Sequence, residues 1–341
     1  MTTHELTSNR FQFSDASDAI EHYFEQGWTD GLPVVPPTAA KVEAFLNVVD
    51  RQPAEILGTE PVRGRVVTLE KVAINAVMAG CRPEYFPVVV ATIEAMLEPQ
   101  YNLHAVTAST MGAAQLLVVN GPIAKEIGLN SGVGVFGPGH RANATIGRAV
   151  RLTIINVTGA ISGELDQATL GHAGKYTWCI AEAEDSSPWE PLHAGRGFLP
   201  EQSTVSVFSG LAPIQITSDA ETSPEKVLKS IIDGLFVAGP GNAEIVVVLA
   251  LENIGHIEAA GWTKQQVAQF LWEHSRRTAD EWTEHGTPIE SPTSDDLIGV
   301  AQSPESITLV VAGGRAGGFS SVIPLWGGGS NSRSVTKAIR S

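Results

Sequence analysis

Gln115-Leu116-Leu117-Val118-Val119 is a short apolar run, and Asn120-Gly121-Pro122 follows it at once. A run this brief, bounded by turn residues, reads as a buried strand rather than a helix. Asn-Gly-Pro then turns the chain, and Pro122 suits the first position of a short helix that stops at Gly128. Strand, turn and helix in succession form the unit of an α/β protein.

The pattern recurs outward from this stretch. Strands are expected at 63–67, 204–208, 213–217, 244–250 and 306–311. Helices are expected at 14–26, 39–49, 69–79, 83–97, 143–157, 224–237 and 263–277. Thr38 and Thr68 stand where caps belong, Ser223 precedes Pro224, and Thr263 with Gln266 makes a capping box. Asp30-Gly31-Leu32-Pro33-Val34-Val35-Pro36-Pro37-Thr38 carries three prolines and reads as a rigid extended loop. Residues 158–202 lack a strong period and read as functional loop.

The expected fold class is therefore α/β, with mixed sheets and flanking helices. Leu116 to Asn130 and Val246 to Gly261 resemble each other, and each follows an amphipathic helix. Two related α/β halves around a cleft account for the echo; chance similarity between two strand–helix units accounts for it equally. On the first account the chain divides into an N-terminal arm and helix (1–30), a half carrying Cys81 (31–200) and a second half (201–341).

Composition narrows the partners. The chain has 341 residues, 43% hydrophobic and 17% charged, which describes a core-rich globular protein. So little charge also points to surface buried in a homo-oligomer, although a large core gives the same number. The net charge of −15, with no basic cluster, argues against nucleic acid and acidic membrane surfaces. An anion site must then rest on local arginines and backbone amides. Cys81 and Cys179 form no CxxC and define no disulfide framework. Residues 1–13 are polar, and no apolar run reaches a membrane span, so a reducing cytoplasm is the expected location.

Cys81, in Gly80-Cys81-Arg82-Pro83, is the leading catalytic candidate. If Pro83 opens a helix, Cys81 lies just ahead of free amides and beside Arg82, both of which favour the thiolate. Burial as a small apolar residue is the competing role. Gly137-Pro138-Gly139-His140-Arg141-Ala142-Asn143-Ala144-Thr145-Ile146-Gly147-Arg148 places glycines ahead of a helix start rich in arginine. Gly139, Arg141, Asn143, Thr145 and Arg148 are the expected cradle for a carboxylate or phosphate. It is neither a P-loop nor a Rossmann turn. Gly314 and Arg315, in a glycine loop after the strand at 306–311, repeat the idea at a strand's carboxyl end. Asn75 lies on the helix before Cys81, placed to hydrogen-bond a ligand.

His140, His172, Lys175 and Glu182 are the candidate proton carriers. No metal or other cofactor is expected. The nine histidines are scattered, and any ligand set from His104, His140, His172 and Cys81 would have to assemble in space.

The words DGLPVVPPT, AGCRPEY and GPGHRANATIGR together resemble a family of bacterial proteins of about this length to which no activity is attached. The resemblance spans nearly the whole chain. It implies a soluble bacterial protein whose three words act as a unit, and it supplies no mechanism. The residues themselves point to a cysteine-dependent enzyme acting on a small carboxylate- or phosphate-bearing substrate by hydrolysis, lysis or thiol redox chemistry. A non-catalytic small-anion binding protein and a subunit of a larger enzyme complex are the alternatives.

Overall fold

Side-chain caps fix some of the helix starts, whereas Thr38 and Thr68 stand at N-cap positions without making a capping bond. In the computed structural model, which describes residues 5–218, 223–290 and 293–340, Asp15 accepts from the Ser17 and Asp18 amides and so caps α1 (Ala16–Glu25). The proline-rich loop stays extended and leads into α2 (Ala39–Val49). A hairpin follows, β1 (Ile56–Glu60) against β2 (Arg65–Thr68), of which only the second strand was expected. Next come α3 (Leu69–Met78), a single 3-10 turn at Pro83–Tyr85, α4 (Phe86–Met96) and α5 (Leu103–Ala108).

The apolar run is β3 (Ala114–Asn120), buried along its whole length, and Pro122 opens α6 (Pro122–Glu126). Helix α7 (Arg141–Thr153) begins at Arg141 rather than Asn143 and widens into a π turn over Ile154–Thr158. The stretch read as loop contains β4 (Cys179–Ala181) and α8 (Leu192–Gly195). Then come β5 (Thr204–Gly210), β6 (Ile214–Thr217), α9 (Pro224–Val237), β7 (Ile245–Leu249) and α10 (Leu251–Ala259). The capping box at Thr263 is formed, and α11 (Lys264–His274) stops short of Arg277. It stops because Arg276 enters β8 (Arg276–Thr278), which pairs across α12 (Ala279–Glu284) with β9 (Leu297–Gly299). The chain ends with β10 (Ile307–Val311), β11 (Phe319–Pro324) and β12 (Val335–Ala338).

These elements make four layers. Two mixed sheets, β12-β5-β3-β4 and β10-β7-β11-β6, face each other. Leu116, Val118 and Phe208 of the first pack with Val246, Val248, Val310 and Ile323 of the second in a sealed middle layer. Alternate residues point outward, as the two-residue strand period requires. Leu117, Val119 and Val207 therefore meet the helices on one side, while Val247, Leu249 and Leu309 meet those on the other. Burial of this many branched side chains, at roughly 1.5–3 kcal/mol each, is the main stabilising contribution.

The sheets share one connectivity. β3 runs parallel to β4 and antiparallel to β5, and β5 is antiparallel to β12. β7 runs parallel to β10 and antiparallel to β11, and β11 is antiparallel to β6. The fourth strand of each sheet comes from elsewhere in the chain. After β5 the chain leaves to supply β6 to the second sheet; after β11 it returns to supply β12 to the first. A cut between residues 200 and 201 would part β5 from β3, although the two pair from Ala114–Gly210 to Asn120–Thr204. The two sheets are thus interleaved in sequence rather than consecutive.

Helices α4 and α7 cover the first sheet, and α9 and α11 take the matching places on the second. Helices α2 and α3 add a further layer on α4 and α7, without a counterpart on the other side.

Candidate functional site

The three sequence words do converge, on the start of α7. Arg148 grips Asp30 through Nε at 2.7 Å and Nη2 at 2.8 Å, and Nη2 also donates to the carbonyls of Leu32 and Pro33. Arg141 donates twice to the Gly80 carbonyl. Cys81 Sγ donates to the Thr145 carbonyl at 3.2 Å. Asn143 accepts from the Asn130 amide and donates to the carbonyls of Asn130 and Cys179. Thr145 Oγ1 donates to the Arg141 carbonyl. The side chains expected to cradle an anion are spent on holding the protein together. Gly139 and His140 stay exposed at the helix start, and Arg82 pairs with its neighbour Glu84 at 3.6 Å. Gly314 packs near Val133, and Arg315 donates to Ser186 Oγ.

Cys81 is not the poised thiolate that its sequence neighbours suggest. Gly80, at φ +87°, is the left-handed residue that ends α3, and the Gly80 and Cys81 amides return to the carbonyls of Val77 and Ala76. The sulfur therefore lies at the carboxyl end of α3, where the helix dipole disfavours negative charge. It is 7% exposed among apolar neighbours, and burial pushes the thiol up to about 12. Cys179 is buried in the same cluster and is pushed up likewise.

Of the other proton-carrier candidates, His172 and Lys175 share one 3-10 turn, and Glu182 lies apart from them. His172 Nδ1 accepts from the Gly174 amide and Nε2 faces the Gly210 carbonyl at 3.4 Å, so the neutral ring carries its proton on Nε2. Burial lowers its pKa. Lys175 reaches Asp166, which also binds Arg151 at 2.7 Å. Burial, with Arg151 alongside, draws Lys175 below the usual lysine range. Glu182 lies past the other end of β4. It accepts from Asn120 Nδ2 at 2.6 Å and the Leu192 amide at 2.7 Å, and burial raises its pKa. Among the described residues, no group of three or more His, Cys, Asp or Glu could hold a metal.

A cavity with room for a molecule lies elsewhere, beneath the N-terminal arm. It has a volume of about 800 Å³ and is roofed by residues 6–13 and walled by α1, the proline-rich loop, α3 and the β2 hairpin strand. Its aromatic wall is continuous. Phe11 and Tyr23 each stand 5.7 Å from Trp28, centroid to centroid, and Phe11 and Phe13 bracket His22 at 5.4 and 5.1 Å.

Polar groups occupy two further faces of the cavity. Asn156 donates to Asn75 Oδ1 at 2.7 Å and to the Trp28 carbonyl, and Asn75 donates to the Lys71 carbonyl. Asn75 thus lines the cavity with both ends of its amide already bonded within the protein. Arg10, Arg65 and Lys71 line the cavity as well. Among the described residues, Arg10 and Arg65 make no side-chain ion pair or hydrogen bond, and Lys71 reaches only Ser8 Oγ. Glu70, 1% exposed, is saturated by donors from Thr7 and Ser8.

Sequence reasoning passed over the arm. The signal was Phe11 and Phe13 at alternate positions in an otherwise polar segment, next to Arg10 and ahead of Tyr23 and Trp28.

No helix among the described residues is long and apolar enough to cross a membrane. Comparison with protein-family models, with curated proteins and with solved structures gave no match.

Proposed function

We propose that this protein binds a small organic anion with an aromatic or branched apolar body in the cavity beneath its arm. One observation carries the reading: in a chain of net charge −15, three cations line a single aromatic-walled cavity, and among the described residues none of the three has an ion-pair partner. Cations spared from carboxylates in an acidic protein are free to meet a ligand's charge. The arginine fork suits a carboxylate or sulfonate. Apolar walls with a few convergent polar groups are the ordinary make-up of a small-molecule site. Thiol chemistry has less support, because both sulfurs are sealed in the core and held as thiols.

The test uses 8-anilinonaphthalene-1-sulfonate, an aromatic anion whose emission reports burial, with benzoate and hexanoate as competitors. Saturable binding at one site per chain, competed by benzoate and weakened about tenfold in Arg65→Ala, is the expected result. Absence of binding, or affinity unchanged in Arg65→Ala, Lys71→Ala and the double variant, would overturn it.

A further inference from the structure

The roof of the cavity is hydrogen-bonded at its first end only, before it runs on into the capped start of α1. Thr7 and Ser8 hold Glu70 through the Thr7 amide at 3.0 Å, the Thr7 hydroxyl at 2.9 Å and the Ser8 amide at 2.9 Å. Lys71 adds a bond to Ser8 Oγ. Beyond that point, among the described residues, 9–13 make no hydrogen bond. They form neither helix nor strand. What holds them is side-chain contact of Phe11 and Phe13 with α1 and Trp28, and Phe11 remains 52% exposed. A segment with an anchored start, no backbone bonds beyond it and loosely packed rings belongs to the least stable part of a fold. Arg10 sits in this part and lines the cavity together with Arg65 and Lys71, which belong to the body.

We propose that residues 6–13 are a ligand-fastened strap: a bound anion bridges Arg10 of the strap to Arg65 and Lys71 of the body, and Glu70 is the positioning residue that keeps the strap in register over the cavity. The inference rests on the cavity's being the binding site. Occupancy adds the bond that the strap lacks, so the ligand and the closed strap stabilise each other, as any molecule that binds one conformation preferentially must. The bound molecule then leaves only when the strap opens, and the strap governs the dissociation rate more than the encounter rate.

The experiment follows amide exchange of residues 5–13 with and without saturating anilinonaphthalenesulfonate, and measures dissociation by stopped flow in the wild type, Arg10→Ala and Glu70→Gln. Slower exchange of the strap when probe is bound is expected, with dissociation about tenfold faster in both variants and the thermal midpoint unchanged in Arg10→Ala, the size of effect lost with charge-assisted hydrogen bonds. Ser8→Pro is the companion to Glu70→Gln. It deletes the Ser8 amide donor while leaving α3 intact, and it should speed dissociation in the same direction. If the probe binds and Arg65→Ala weakens it, yet strap exchange and all dissociation rates stay as they were, the strap is refuted and the cavity stands. If the wild type binds no probe, both fall together.

Discussion

The two sheets are built alike and furnished differently. Their registers superpose: Leu117 pairs with Cys179 as Val247 pairs with Leu309, and Val119 pairs with Val205 as Leu249 pairs with Ser320. At matching places the first sheet has Asn120 where the second has Ala250, Cys179 where it has Leu309, and Glu182 where it has Ala312. Only the first carries the outer layer of α2 and α3, and only there does the arm close over a cavity. The shared frame supplies rigidity and the additions supply the candidate site, as expected if function is grafted onto a fold rather than dictated by it.

That comparison can be broken most forcefully in the middle layer, which both sheets share. Phe208 and Ile323 occupy equivalent strands and are fully buried. Phe208→Ala should cost about 4 kcal/mol and Ile323→Ala about 3 kcal/mol. Both should lower a single unfolding transition in urea, because neither sheet keeps its inner face covered without the other. Two separate transitions, with only one shifted by each variant, would mean that the sheets are independent.

The cysteines sharpen the contrast on the first sheet's side. With the thiol raised to about 12, on the order of one Cys81 in ten thousand is ionised at pH 8. Alkylation by iodoacetamide in the native protein should therefore run about a thousandfold slower than for free cysteine, followed by intact mass. Rapid labelling of Cys81 would restore a role for its sulfur.

The smallest expected effect concerns Glu182. Its folded pKa is raised by burial, so the folded state favours the protonated acid. The wild type should lose stability as pH rises from the ordinary carboxylate range up through that folded pKa. Glu182→Gln, which stays neutral, should be about 1 kcal/mol more stable than the wild type at pH 8, with the difference vanishing near pH 4. Equal midpoints at both pH values would show that Glu182 is ionised at no cost.

Much of the frame was legible because its signals are local. The apolar runs at 115–119 and 244–250, the capping residues Asp15, Ser223 and Thr263, and Pro224 at a helix start all act within a few residues. What escaped depends on distant partners. β11 follows Gly317-Gly318 and includes Ser320, whose hydroxyl is buried only because Asn253 donates to it. β12, with Lys337, looks like a polar tail until β5 is placed beside it. Cys81 was read from the wrong neighbour. Pro83 announces a start, but Gly80 announces an end first, and the sulfur after it is buried in the core. The cavity escaped because its aromatic wall combines residues of the arm, α1 and Trp28, which no periodic pattern links.

The exchanged strands bear on how the molecule comes into being. During synthesis β5 is made before the second sheet, but the neighbour that covers its free edge, β12, is made only after the entire second sheet. A nascent chain thus exposes an unpaired strand edge, with its self-association hazard, until β12 has been made. Long-range pairings of this kind are also slow to form, so the protein should depend on chaperones and mature late, as a single event rather than half by half.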